Sequence, residues 1–502
     1  MPGKTVLLPE DYQDRLRLLR EESHAMESED VVIHPFRALG REAALLYVDG
    51  LARGEDMERF LLLPLMAAPL PAEGDSLLDY AARSVLPLCG LTHTEELGQV
   101  LSRVFSGDAA LVLCGMPGAL VADVKGFAHR AVGRPVNESV VTGPHEGFTE
   151  SLRDNVVLLR RLLRTPDLIS EEIQVGDLVP TRLCLLYLKG VARLETVSEV
   201  KRRIRGCRVD YVSSLGMLEQ LLEDRPFSLL PQAASTERPD RAVSFLTEGQ
   251  AVIAMENAPM VLAMPAGFLH LYHAPDDTAL RWQYGTFLRL LRLSGMALSL
   301  LLPAVFLSLT VFHPEGMSLS LLTSVVESQS RVPMTLFASL LIVLLIFGLI
   351  NEAASRVPGA MGATLSIVGG LILGQAVVEA DLFSPLVLIV VALSGLGSYT
   401  APSHSLTLAL RIGQLLLVIA AGLLGYLGVI PALFLLMLRG MGLTSLGFPY
   451  FAPIAPRRAA NPDRIARLPI WFQRGRGPLA SPQSPRRAWG DMRAWSKTKE
   501  EK

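Results

Sequence analysis

The chain has 502 residues, a formal net charge of −2, 19% charged residues and a mean hydropathy of +0.36. This balance excludes a basic nucleic-acid binder and a wholly soluble globule, and it predicts polar domains joined to a membrane part. The four cysteines, Cys89, Cys114, Cys184 and Cys207, are far apart and form no C-x-x-C pair, so neither a disulfide framework nor a zinc site is expected.

Residues 1–30 are polar and charged, with no apolar core or cleavage site of a secretory signal. From residue 31 short β-type runs alternate with amphipathic stretches, as in α/β domains. Two segments occur twice. Leu45–Arg53 (LLYVDGLAR) matches Leu185–Arg193 (LLYLKGVAR), and Gly107–Leu113 (GDAALVL) matches Gly249–Met255 (GQAVIAM). Each member of the second pair continues through a tight turn, Gly115–Gly118 or Glu256–Pro259, into a returning apolar run, which is hairpin chemistry. Both pairs are offset by about 140 residues, so two related α/β subdomains are expected, at 31–140 and 170–270.

Residues 141–169 form a linking motif and a helix. The motif is Gly143-Pro144-His145-Glu146-Gly147-Phe148-Thr149-Glu150. The helix runs from about Thr149 to Arg164, before Thr165-Pro166, with Leu152, Val156, Leu159 and Leu163 on one apolar stripe. Arg153, Arg160 and Arg164 form a basic stripe, either solvated or facing an acidic partner or lipid headgroups. Gly143, Pro144, Glu146, Gly147, Phe148 and Arg153 are candidate residues of a subdomain joint. The carboxylate of Glu146 is expected on backbone N–H groups or on an arginine such as Arg153. Residues 271–292 mix Trp282, Tyr284 and Phe287 with Arg281, Arg289 and Arg292, the pattern of a helix at a membrane surface.

Residues 293–456 hold the long apolar runs: Leu293–Phe312, Pro333–Ile350, Gly359–Val378, Leu382–Ser398 and Ser405–Leu438. A crossing needs roughly 20 apolar residues, so an all-α membrane domain of four to six spans is expected. The last run is broken by Gly425, Gly428 and Pro431, where a tight reversal would make two spans from one. Arginines before the first span and a basic tail at 457–502, expected to be disordered, place both termini in the cytoplasm. Gly362, Ser366, Gly370 and Gly374 recur every fourth residue and are followed by Gln375 and Glu379, so that helix is expected to pack closely on another or to line a pore. Glu352 and Arg356 are placed for an i,i+4 pair at the membrane edge. No phosphate loop, catalytic constellation or metal-ligand spacing is present; an enzyme is not expected, nor a cofactor, a metal or a nucleic-acid partner.

The motif Gly143–Glu150 with Leu152-Arg153-x-Asn155 resembles the signature of the A subunit of spore germinant receptors, the GerA family. Thr236-Glu237-Arg238-Pro239-Asp240, Ser366–Val378 and Gly447-Phe448-Pro449-Tyr450-Phe451-Ala452-Pro453 resemble it too, over about residues 31–456. The resemblance implies a multi-pass protein of the inner spore membrane. It would act in nutrient sensing with a transporter-like B subunit and a lipoprotein C subunit, and would form a homo-oligomer that conducts ions. Where family members often carry acidic residues along the second span, this chain has Ser339, Leu344 and Gly348 and keeps Glu352; Arg439 stands where a histidine is common. The paralogous stage V sporulation protein AF type shares the architecture. A non-conducting accessory subunit and a secondary transporter with Gln375 at its substrate site are the competing functions.

Overall fold

The computed structural model describes residues 6–69, 77–88, 90–126, 135, 138, 143–356, 374–375, 378–457, 463–477, 479–487 and 492. After helix α1 (Tyr12–Glu22), capped by the Asp11 carboxylate, the first sheet is built from β1 (Val31–Ala38), β2 (Arg41–Val48), β3 (Leu91–Thr94), β4 (Ala109–Leu113) and β5 (Ala119–Ala122), in the order β1-β2-β4-β5-β3. The strands pair antiparallel. The β1–β2 loop is the two residues Leu39-Gly40, both at positive φ, as a type I′ hairpin requires. Short helices α2 (Gly54–Met57), α3 (Leu63–Ala67) and α4 (Leu77–Tyr80) cover one face, and α1 and α5 (Leu97–Val104) the other. Central β4 reads Ala-Ala-Leu-Val-Leu and is buried throughout, because both its faces are covered.

Helix α6 (Leu152–Leu162) leads into the second sheet: β6 (Leu168–Val175), β7 (Thr181–Leu188), β8 (Ala234–Thr236), β9 (Ala251–Met255) and β10 (Val261–Met264). Its order, β6-β7-β9-β10-β8, repeats the first. The register repeats as well: Leu45 faces Leu111 across β2 and β4, and Leu185 faces Ile253 across β7 and β9. Tyr47 and Tyr187 hold the same place on β2 and β7. Helices α7 (Leu194–Gly206) and α8 (Leu215–Leu222) cover one face of this sheet, and α6 and α9 (Pro239–Thr247) the other. On α7 the inward stripe Val197, Val200 and Ile204 follows the helical period. The region is therefore two related α/β/α layers, followed by helices.

Two short helices, α10 (Phe268–Tyr272) and α11 (Asp276–Ala279), precede α12 (Trp282–Val311), then α13 (Leu319–Ser330), α14 (Leu336–Arg356), α15 (Pro385–Ser398), α16 (His404–Leu424) and α17 (Tyr426–Met441). Among the described residues, three helices are long and apolar enough to cross a membrane: α12, the Leu336–Ala353 part of α14, and α16. The separate surface helix expected before the first span is absent. No proline lies between Trp282 and Leu293, and the helix runs on through buried Gly285, so those residues are the first turns of α12, which at 30 residues extends about 45 Å. The last apolar run is two helices. Gly425, at φ +59°, reverses the chain between α16 and α17, and a Cβ there would lie 2.8 Å from Phe312. Close backbone approach follows at Gly428, whose Cβ would lie 2.2 Å from the carbonyl oxygen of Ala420. The interior of the helical region is Ala304, Leu307, Leu340, Val387, Leu417, Val418 and Ala421.

Candidate functional site at the joints of the α/β region

Helix α6 lies between the two sheets and is clamped at both ends. Buried Asn155 accepts from the Thr149 N–H and donates to the Thr149 carbonyl, both at 2.7 Å, which ties the linking motif to the helix. Phe148 is buried on the second sheet, and its N–H donates to the Glu237 carbonyl at 2.8 Å. The Gly143–Glu150 and Thr236–Asp240 motifs, about 90 residues apart in the chain, thus meet. On the other side, Arg153 donates to Asp49 at 2.6 Å, and Gly50, at φ +80°, leaves room for Val157, whose Cγ2 would lie 2.4 Å from a Cβ. Gly143 and Pro144 are exposed, whereas Gly147 is buried.

Glu146 does meet an arginine, but Arg161 and not Arg153, which pairs with Asp49. The chain from Gly143 to Glu150 runs back along α6, so Glu146 lies beside its last turns and pairs with Arg161 at 3.4 Å. The first helical turn carries Asp154 instead. Arg160, one of the presumed basic stripe, is 1% exposed. Its Nε and Nη2 hold Asp30 at 2.6 and 2.7 Å, and Nη2 also donates to Ser28 at 3.1 Å. Ser170 donates to the same carboxylate at 2.5 Å, and its N–H donates to Ser28 Oγ at 3.1 Å. Segment 28–30, α6 and β6 therefore form one network across the two subdomains. The basic stripe signalled Arg160, but nothing local signalled Asp30, 130 residues away.

A second joint ties the second subdomain to the helices. Asp277, 0% exposed, accepts from Arg289 at 3.0 Å and from Arg292 at 3.0 and 3.1 Å. Burial by itself would raise this carboxyl, but hydrogen bonds from Arg292 and the charges of Arg292 and Arg289 outweigh it and hold the pKa below the ordinary value. Arg289, 1% exposed, also donates to Asp463 at 2.5 Å. Tyr272 on α10 donates to the Arg289 carbonyl at 2.6 Å, and Arg292 donates back to the Tyr272 carbonyl at 2.9 Å. Arg241, in the first turn of α9, donates to the carbonyls of His270 and His273 at 2.9 and 3.3 Å. A cavity of about 230 Å³ opens here, lined among others by Phe245, His270, His273, Arg289, Asp463 and Leu479. Burial, helped by the charges of His273 and Arg241, pushes the His270 imidazole down to about 3; burial and Arg289 lower His273 in the same direction.

Of the arginines expected at lipid headgroups, Arg289 and Arg292 are thus folded inward while Arg281 is exposed, and part of the tail expected to be disordered is folded in as well. Arg467 donates to the carbonyls of Thr278 and Leu280 at 3.0 and 2.6 Å, Arg476 to the Thr247 carbonyl at 2.7 Å, and the Gln483 N–H to the Val191 carbonyl at 2.9 Å. A guanidinium satisfies several carbonyls at once, so a segment without apolar periodicity can still be anchored. The Gly447–Pro453 motif joins in. Tyr450 is fully buried, its carbonyl accepts from the Phe268 N–H at 3.0 Å, and Phe451 stacks on Phe268 with centroids 5.2 Å apart. The second subdomain therefore holds both the chain entering the helical region and the chain leaving it.

In the helical region, Gly362, Ser366 and Gly370 lie outside the described residues; Gly374 is half-buried, and Gln375 and Glu379 are exposed in the single chain. Close packing occurs elsewhere. A Cβ on Gly397 would lie 2.4 Å from the Gly295 carbonyl oxygen, one on Gly395 2.4 Å from the Phe347 ring, and one on Gly422 2.3 Å from the Phe337 ring. Arg356 Nε donates to Glu352 at 2.8 Å, both exposed. One polar cluster escaped notice in the sequence. Arg411 sits within α16 with its guanidinium 5.3 Å from the Tyr399 ring centre, and one turn on Gln414 donates to Ser394 at 2.9 Å beside a cleft of about 120 Å³. A cation inside an apolar run was the available signal.

Together these features define a membrane-associated protein whose duplicated α/β region is fastened to its apolar helices by buried ion pairs. The family described as Bacillus/Clostridium GerA spore germination protein matches residues 18–478, and the chain belongs to that family. It is 33% identical over 479 residues to spore germination protein B1 of Bacillus subtilis, covering 94% of this chain and 98% of that one. It is 30% identical over 428 residues to the uncharacterized membrane protein YfkQ of the same organism, covering 85% and 83%. Among solved structures, the N-terminal domain of the A subunit of the Bacillus megaterium spore germinant receptor GerK3 aligns with a TM-score of 0.42 at 26% identity, over 53% of this chain and 99% of that one.

Proposed function

We propose that this protein is the A-type subunit of a nutrient-responsive germinant receptor in the inner spore membrane, and that its helices, in a homo-oligomer, form the path by which ions leave. The carrying observation is the second joint. A signal that displaces the second subdomain acts directly on the first apolar helix through Asp277, Arg289 and Arg292, and on the chain after the last helix through Asp463 and Tyr450. Because the start and the end of the helical region meet the same subdomain, they lie on one side of the membrane. This supports an even number of crossings; the cytoplasmic side is inferred from the arginine-rich flanks. The small-residue face of 362–374, with Gln375 and Glu379, would meet a neighbouring copy or the ion path; the exposure of Gln375 and Glu379 in a single chain suits that role. Transporter-like B and lipoprotein C subunits are the expected partners, and no enzymatic step is assigned.

Planar-bilayer recording of the purified protein, alone and with co-expressed partners, tests this. Single-channel conductance that Asp277→Asn alters and Gln375→Leu changes in selectivity is the expected result. Solute-coupled flux without channel events would instead identify a transporter. A protein silent in every combination, yet needed for partner assembly, would be a non-conducting accessory subunit.

A further inference from the structure

The loop after α8 and the helices beside it enclose a second cleft, of about 590 Å³, distinct from the cavity at His270. One wall is apolar helix surface: Leu300 on α12, Leu410, Gly413 and Leu416 on α16, and Leu436 on α17. The other wall is the loop Pro226–Leu230, on which Phe227 is 100% exposed. Two arginines, Arg225 and Arg439, line it as well, both exposed. They flank the same turn: a Cβ on Gly442 would lie 3.8 Å from Arg225 Nη1 and 3.8 Å from the Arg439 carbonyl oxygen. The nearby carboxylate of Asp224 is engaged by Arg203, Thr444 and the Gly447 N–H, and among the described residues neither Arg225 nor Arg439 makes an ion pair.

We propose that this cleft is a binding site for a phospholipid with an anionic headgroup: the phosphate on Arg225 and Arg439, one acyl chain along Leu300, Leu410, Leu416 and Leu436, and Phe227 inserted beside it. Three observations meet on that occupant. Among the described residues the two guanidinium groups have no counter-charge, and they have the planar donor geometry that takes a phosphate. The wall below them is apolar, which disfavours a small polar solute. The depth agrees: Arg439 stands in the last turn of α17 and Leu436 three residues before it, about 4.5 Å further along the helix axis, so the guanidinium lies toward the helix end and the leucine toward the apolar middle. An exposed Phe beside an exposed Arg is also the pairing that anchors a loop at the interface. The site spans the second subdomain and three helices, so an occupied cleft braces the loop against them. The assignment rests on the helices crossing the bilayer, as the proposed function does.

The test is native mass spectrometry of the full chain released from detergent after exposure to equal amounts of dioleoyl-phosphatidylglycerol and dioleoyl-phosphatidylcholine. Membrane insertion of every variant is checked separately by alkaline extraction, so that a failure of the membrane reading is told apart from a failure of the site. The wild type is expected to retain one phosphatidylglycerol at least about tenfold more often than phosphatidylcholine, the ratio that one well-made charge contact produces. Arg225→Gln/Arg439→Gln should abolish the preference. Phe227→Ser, which removes no packed side chain, should reduce retention of both lipids. Arg205→Gln, an exposed cation on α7, should change nothing. Equal retention of the two lipids by the wild type, or an unchanged phosphatidylglycerol count in the double arginine variant, overturns the assignment. A shift in oligomeric state of that variant with its lipid count unaltered would assign the cleft to a second copy of the chain and likewise overturn it.

Discussion

Replacing Asp277 by Asn should loosen the joint that carries the proposed signal. The carboxylate is 0% exposed, accepts three hydrogen bonds from Arg289 and Arg292, and also accepts from the Ala274 N–H at 3.2 Å. Asn keeps the shape and the Ala274 contact, but it leaves Arg292 without its charge partner and Arg289 with Asp463 alone. Removing one member of a buried ion pair costs about 3–5 kcal/mol, because the remaining charge stays desolvated. At about 1.4 kcal/mol per decade, local opening becomes roughly 100- to 4,000-fold more frequent. Hydrogen exchange of the detergent-purified protein reads this directly in the amides of α10, α11 and the first three turns of α12, while β2, β4 and their neighbours in the first subdomain keep wild-type protection. Adding Arg292→Met should restore part of the protection, since the uncompensated cation is then gone. Acceleration of less than about fivefold in those amides, or equal acceleration in the first subdomain, would refute the claim that this pair holds the joint.

Arg160→Met should expose the subdomain seam: about 3 kcal/mol or more is expected from unpairing buried Asp30, read as faster proteolysis at 23–30, and an unchanged cleavage rate counts against the network. Glu146→Gln should cost less than about 1 kcal/mol, since its partner Arg161 is partly solvated and the contact is long; a large drop in melting temperature would show that Glu146 does more than the geometry indicates. Gly397→Val should prevent α12 and α15 from closing, because any Cβ meets the Gly295 carbonyl; a variant with normal yield and melting temperature would refute the contact. Acid should weaken the second joint. His270, held neutral to about pH 3, binds a proton below 6.5 when unfolded but not when folded, so its contribution is present above 6.5 and is lost as the pH falls toward 3. Glu219 works the other way. Burial and then Glu223 raise it to about 7, so its charge penalty disappears over the same acid range. The comparison is therefore between wild type and His270→Gln, whose melting temperature should fall less from pH 7 to about 4.5; parallel curves would dismiss the role of His270.

The sequence by itself determined the elements and their duplication. Leu45–Arg53 and Leu185–Arg193, with the two Gly-led hairpins, carry β-type composition and turn residues within a few positions, so the pattern alone identifies them, and the sheets repeat in order and register. The apolar helices among the described residues were legible for the same reason, and the break at Gly425 was legible as a break; that it is a reversal was decided by the packing, where only a residue without Cβ fits against Phe312. Partnership was not legible. Arg160 looked like one more exposed cation until Asp30, Ser28 and Ser170 closed around it, and Arg289 and Arg292 looked like headgroup anchors until Asp277 and Asp463 buried them. Glu146 turned to Arg161 because its segment runs back along α6, a direction that no local signal encodes. Periodicity reports how one segment meets an interface, over distances of a few residues. Which charge neutralises which depends on chain paths 12 to 174 residues long, and those paths are settled only when the second subdomain, the first apolar helix and the tail pack together.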